Sequence, residues 1–324
     1  MMEPMRRILS IDGGGVRGVI PAVALAALER HTGRLTRDTF DFVAGTSSGA
    51  LLAAGVAAGI PAERLVTLFG ERAPQLLRRV PVLSTVRRIV SGSMFDTGAL
   101  HRLIREELGP EARDWRLNDA PLDMLITGKR LSDGMPWYFV RDSPANSCRA
   151  GRYLLADAVT ASAAAPTYFA PWTIAGIGEL IDGGMGIAGN PVYQACVEAF
   201  VYAEAYEPAA TVVLSLGTGR VRHRPRPTWL GSWLGWLLSE LLRSPTEQQT
   251  ELVHRHYPQT RFYRIDVALD HEIGLEDVGS VGELRAIGER LAPTLDWAAM
   301  LEGRDDPRLV TDVSTLPREY CAVP

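Results

Sequence analysis

A serine held between glycines is the first place where this chain could do chemistry. Ser47 stands in Gly45-Thr46-Ser47-Ser48-Gly49, after the strand-like run Phe40 to Ala44 and before the helix-forming run Ala50 to Ala58. Small residues on either side permit the sharp strand-to-helix turn that lifts a hydroxyl clear of a sheet, the arrangement called a nucleophile elbow. The helix that follows would aim its N-terminus at the reacting group and favour developing negative charge there. Such a nucleophile needs a base. The late histidines His223, His254, His256 and His271 sit in charged, Arg-rich or helical surroundings that mark none of them as the third member of a triad. A carboxylate is better placed: in Glu179-Leu180-Ile181-Asp182-Gly183-Gly184 an apolar pair delivers Asp182 to a double-glycine turn. An aspartate so placed can be held against a hydroxyl with the backbone kept out of the way. The same residues also spell an ordinary Asp-Gly turn.

Upstream lies a second glycine turn, Asp12-Gly13-Gly14-Gly15-Val16-Arg17-Gly18. Consecutive small residues at the head of a helix can point several backbone N–H groups into one concavity and so stabilise an oxyanion. Gly13, Gly15 and Gly18 also satisfy the G-x-G-x-x-G spacing of a dinucleotide-binding fold. That fingerprint wants an acidic residue at the tip of the second strand to hold a ribose hydroxyl. Here the second strand ends in the serine elbow, and Asp41 lies within it, which weighs against a nucleotide.

Two strand-turn-helix units in succession predict a parallel sheet with helices packed on it. Leu122 to Ile126, Trp137 to Val140 and Thr211 to Leu216 read as further strands, the last closed by Gly217-Thr218-Gly219. Residues 64–118 alternate helical stretches with Pro and Arg and read as a cover without a core of its own. Arg220 to Pro227 reads as a loop. Within Thr228 to Arg243, Trp229, Trp233, Trp236, Leu237 and Leu241 recur at near-helical spacing beside Arg220, Arg222, Arg224 and Arg226. Such a stripe suits transient contact with a membrane surface and equally suits packing on a core. A second basic cluster, Arg78, Arg79, Arg87 and Arg88, reads as a solvated face. The 324 residues carry a net charge of -4, which argues against a nucleic-acid polymer as partner. Cys148, Cys196 and Cys321 are an odd set at wide spacing, as free thiols in a reducing compartment would be. Only Ile8 and Leu9 follow Arg6 and Arg7 before polar residues intervene, too little for a signal-peptide core. The apolar run from Gly49 to Ala62 falls short of the roughly 20 residues that span a bilayer and reads as a buried helix. The expected location is the cytoplasm, with peripheral membrane contact.

Taken together, the turn at Asp12 to Gly18, the elbow at Gly45 to Gly49 and the Asp-Gly-Gly element at Asp182 to Gly184 resemble the patatin-like phospholipase family in type, order and spacing. Ala161 to Pro171 and Leu214 to Gly219 are also similar to it. One departure is Gly189-Asn190-Pro191, where family members often carry Asn-Asn-Pro. The resemblance covers residues 6–219, which marks that span as the catalytic domain and residues 220–324 as a C-terminal extension packed on it. It implies an α/β fold of three α/β/α layers with a mainly parallel central sheet. It also implies a Ser47–Asp182 dyad without histidine, N–H groups of Gly13, Gly14 and Gly15 as the oxyanion hole, and no cofactor or metal. Arg17 would sit at the mouth, pairing with a lipid phosphate or tying the loop to a carboxylate. The implied activity is lipid acyl hydrolysis of phospholipase A or lysophospholipase type through an acyl-enzyme. Some bacterial members degrade membranes only on a signal, and the region after Gly219 is the candidate seat of such control. A Ser-Asp-His carboxylesterase is the remaining alternative.

Overall fold

The computed structural model describes residues 5–77, 92–143, 150–186, 188–203, 205–221, 227–228, 233 and 247–304. Trp229, Trp236, His223, the cluster Arg78 to Arg88, Cys148 and Cys321 lie outside them. The apolar run after the N-terminus forms β1 (Arg6–Ile11), whose alternate side chains face opposite ways: Leu9 and Ile11 enter one core, Ile8 the other. The glycine loop then leads into α1 (Val19–Thr32), which stops at Gly33 in the left-handed region. The second unit repeats this plan with β2 (Phe42–Gly45) and α2 (Ser48–Ala57), the latter buried along almost its whole length as its Ala-rich sequence foretells. No described helix is long and apolar enough to cross a membrane.

β1 lies between β2 and β7 (Thr211–Leu216), parallel to both. β3 (Asp123–Arg130) extends the sheet beyond β2 and β9 (Arg261–Ile265) extends it beyond β7, again parallel. Antiparallel pairs form with β4 (Pro136–Val140) and β6 (Gly178–Asp182) on β3, and with β5 (Trp172–Ile174) on β6. One face of the sheet is covered by α1, α2, α3 (Ala62–Thr67), α4 (Thr97–Ala112) and α5 (Leu155–Ser162). The other is covered by α6 (Val192–Val197), whose Val192, Ala195 and Cys196 pack with Ile8, Phe42, Ala44 and Leu125. The result is the expected three-layer α/β/α fold. Leu65, Leu100 and Ile104 join the main core, so the stretch read as a cover has no core of its own.

Two features of register position the site. β3 pairs with β4 along Leu125 to Lys129, so β2 and β6 must both use its other edge, β2 up to Ile126 and β6 from Gly128 onward. β2 and β6 therefore meet tip to tip, with Gly45 level with Ile126 and Asp182 level with Gly128. Second, residues beyond 220 do more than pack on the domain, because β9 is a strand of the main sheet. β8 (Arg220–Val221) and β10 (Ala268–Leu269) form a small parallel ribbon, and α7 (Val281–Leu291) lies on α1, where a side chain at Gly288 would press on Val23.

Candidate active site

Ser47 sits at the gap between the two strand tips with φ 56° and ψ -121°, a backbone conformation that costs an L-residue about 1–3 kcal/mol. The flanking glycines make it feasible. A Cβ at Gly45 would strike the backbone of Gly49 and Ala50, and one at Gly49 would strike the carbonyls of Ile11 and Asp12. Ser47 lies close enough to Asp182 for its hydroxyl to lower the pKa of that carboxylate. Asp182 is buried, and its Oδ1 also accepts the Gly184 N–H at 2.7 Å. Burial pushes its pKa up from 3.8 to about 6, against the opposing pull of the Ser47 and Gly184 hydrogen bonds.

Both members of the pair are anchored on the C-terminus of α5. The Ser47 N–H donates to Ser162 Oγ at 2.8 Å, the Gly183 N–H to the Ser162 carbonyl at 3.4 Å, and the Asp182 N–H to the Ala164 carbonyl at 3.0 Å. Ser162 is fully buried. Behind the elbow, Thr46 Oγ1 donates to the Ala188 carbonyl at 2.6 Å. That uses its only proton, so Thr127 Oγ1, 2.7 Å away, donates to Thr46. The elbow is thus stitched to β3 and to the loop after Asp182. The position that departs from Asn-Asn-Pro contributes through its backbone: the Gly189 carbonyl accepts the Gly13 N–H at 3.0 Å. Asn190 Oδ1 accepts the Val192 N–H at the start of α6.

The glycine loop faces Ser47, with Gly13 in close approach to the Ser47 side chain. Its three amides are not equivalent. Gly13 N–H is spent on Gly189, which removes it from the expected oxyanion hole in this structure. Gly14 N–H donates to Ser48 Oγ at 3.0 Å. Gly15 N–H has no partner among the described residues. Thr218 Oγ1 donates to the Gly13 carbonyl at 2.9 Å, and Leu275 accepts the Val16 N–H at 2.9 Å. Arg17 donates to the carbonyls of Gly14 and Gly219, each at 3.3 Å, so it ties the loop to the Gly219 carbonyl of the Gly217-Thr218-Gly219 turn. The buried Asp12 carboxylate holds Arg264 of β9 through both oxygens, at 2.9 and 2.6 Å. Arg264 reaches Ser215 and Asp266 as well, and Asp266 in turn accepts the Gly219 N–H. Despite its burial, Arg264 is held firmly charged by Asp12 and Asp266. Ser48 and Arg264 carry no signal in a single sequence beyond lying beside Ser47 and in a Phe-Tyr strand, and Ser162 falls in the family-like stretch Ala161 to Pro171 with nothing there to single it out.

Other expectations fall away on geometry. Asp41 precedes β2, at the end of the strand remote from the glycine loop, and accepts hydrogen bonds from the Arg6 side chain and the Arg7 N–H. No ribose on the loop could reach it, so the dinucleotide reading is overturned. Among the described histidines, His254 stacks edge-on against Phe262, His256 bonds Tyr193, and His271 faces Glu283. The buried group nearest in influence to the Ser47 hydroxyl is instead the Asp182 carboxylate. Of the tryptophan stripe only Trp233 is described, and it is exposed. Cys196 is a buried free thiol.

Comparison with known proteins follows the same residues. The family model for patatin-like phospholipase matches residues 9–196. A protein of Vibrio cholerae serotype O1 named cGAMP-activated phospholipase is 30% identical over 88% of this chain and 90% of its own length. One of the same name from Escherichia coli is 28% identical over 85% of this chain and 81% of its own. Among solved structures, VipD from Legionella pneumophila matches with a TM-score of 0.46 at 12% identity, over 89% of this chain and 67% of that one. With the family model over more than half of the chain and a 30% identical relative over most of it, the serine elbow, the buried aspartate and the glycine loop belong to a member of the patatin-like phospholipase family.

Proposed function

We propose that the chain cleaves carboxylic esters of membrane lipids, as a phospholipase A or lysophospholipase, through Ser47 and Asp182. Asp182 takes the hydroxyl proton as Ser47 Oγ attacks the ester carbonyl. The tetrahedral oxyanion is held by Gly15 N–H and by Gly14 N–H once the Ser48 hydroxyl turns away. The bond to the leaving alcohol breaks as Asp182 returns the proton to it, leaving an acyl-serine. Water then attacks the acyl carbon, giving its proton to Asp182, and fatty acid departs as the proton returns to Ser47. Gly13 and Arg17 hold the loop in shape. The observation that carries this reading is that the register of β2 and β6 brings Ser47 up to the buried Asp182 across their tips, with both anchored on Ser162. Wild type, Ser47→Ala and Asp182→Asn are compared on mixed phospholipid vesicles, with fatty acid and lysolipid measured by mass spectrometry. Both variants should lose activity by roughly a thousandfold or more. Near-normal turnover by Asp182→Asn would sink the dyad.

A second reading is favoured by the match over most of both chains to a protein named for activation by cGAMP: hydrolysis waits on a cyclic dinucleotide. Release of fatty acid with and without added cGAMP decides it, and equal rates would discard it.

A further inference from the structure

The β3–β4 hairpin overhangs the site. β2 ends level with Ile126, whereas β3 runs on to Arg130, four residues further, which is about 13 Å at ~3.3 Å per residue. The turn between β3 and β4 therefore projects past the end of β2, on the same side as the turn between β5 and β6. It carries Leu131 and Met135, 46% and 56% exposed. Its backbone is firmly tied. Arg130 N–H bonds the Met135 carbonyl at 2.9 Å, Gly134 N–H the Arg130 carbonyl at 3.0 Å, and Leu131 N–H the Glu179 carbonyl of β6 at 2.8 Å. Asp133 accepts from the Met135 N–H and pairs with Arg130, whose guanidinium lies over Trp137. A turn held by its own hydrogen bonds gains nothing for the fold from two large apolar side chains in water. Beside them Lys129 reaches toward Gly186, in the loop after Asp182, and no carboxylate pairs with it among the described residues. Apolar side chains at a rigid tip, with an unneutralised ammonium just behind, match a bilayer in which acyl chains lie under phosphates.

We propose that this tip, Leu131 and Met135 with Lys129, is the surface by which the protein docks on a phosphate-bearing lipid bilayer, so that the gap between β2 and β6 faces the lipid esters. The inference rests on the reading of the chain as a lipid hydrolase. It is separate from the tryptophan stripe, since no residue is shared.

The test uses the full chain and a Leu131→Ser/Met135→Ser double variant, with Lys129→Ala alongside. Sedimentation with phosphatidylcholine vesicles containing phosphatidylglycerol reads binding. Turnover of p-nitrophenyl butyrate, a monomeric ester, reads the site, and the thermal midpoint reads the fold. The double variant should bind vesicles roughly tenfold more weakly, from the loss of two buried apolar side chains, with ester turnover and midpoint unchanged. Lys129→Ala should weaken binding only where phosphatidylglycerol is present, and less so at high salt. Unchanged vesicle binding in the double variant overturns the proposal. So does gel filtration showing that the substitutions dissolve a dimer while vesicle binding persists. A wild type that binds vesicles through this tip yet hydrolyses neither substrate would instead count against the catalytic reading, because binding is measured without turnover.

Discussion

At the scale of single residues, Asp182 is asked to do two opposed things. Burial raises its carboxyl to about 6, yet the proposed mechanism needs it ionised. Turnover of a soluble ester should therefore be flat above about pH 6 and fall by about tenfold per pH unit below it, a profile read from kcat/KM. Stability runs the other way. The folded-state value lies above the ordinary 3.8, so the native state binds the extra proton, and stability declines as pH rises from the lower value through the higher. Asp182→Asn, neutral at every pH, should thus melt higher than wild type at pH 8 while inactive. Ser162 presents a different case. Its Oγ is the acceptor for the strained Ser47 amide, and Ser162→Ala leaves that N–H without its partner, at a cost of about 1–3 kcal/mol. The expected signature in ester kinetics is a lowered kcat with little change in KM, since the elbow shifts while the pocket stays. The elbow was legible in the sequence because its requirement is local, glycine where a Cβ would strike backbone. Ser162 was not, because what makes it matter is the distance between a helix end and a turn more than a hundred positions away.

At the scale of elements, the site is a seam between strand ends. Sequence pattern identified β1, β2 and β7 because they are buried on both faces and read as continuous apolar runs. It stopped β3 at Ile126, where the strand in fact continues through Thr127-Gly128-Lys129-Arg130. Those polar residues look like a loop, and only pairing with β4 on one edge and β6 on the other keeps them extended. β9 escaped for a related reason: Arg261 and Arg264 interrupt its apolar pattern, and one of them is a buried ion-pair partner. The glycine loop illustrates how a motif can be recognised while its division of labour is not. Three consecutive glycines suggested three equal donors, but neighbouring elements had already claimed two. Gly15 is the least replaceable, with φ 59° and a Cβ direction that meets the Leu275 backbone. Gly15→Ala should abolish fluorophosphonate labelling of Ser47 or slow it on the order of a hundredfold. Gly33→Ala, which closes α1 in open space, should label at the wild-type rate and lose only about 1 kcal/mol of stability.

At the scale of the whole molecule, the first functional loop is braced by the last strand of the sheet. Arg264 holds Asp12 and Asp266 in a buried cluster, and removing one member of such a cluster leaves uncompensated charge. Arg264→Met should cost about 3–5 kcal/mol in denaturant titration. Adding Asp12→Asn and Asp266→Asn should recover a good part of it, which separates lost charge pairing from lost packing. A whole-chain property of this kind is invisible to motif spacing, since the residues involved lie at opposite ends of the chain. It also has a consequence for how the protein is made. A ribosome writes the glycine loop and Ser47 within the first fifty residues, yet the strand that pins the loop emerges only after residue 261. A nascent chain or a prematurely terminated product therefore carries Ser47 without the brace that shapes the glycine loop. Stalled products ending near residue 255 should fail to react with a fluorophosphonate, while those extending past residue 304 should react. Synthesis order then acts as a safety catch, keeping the lipid-hydrolysing activity silent until the bracing strand has been made.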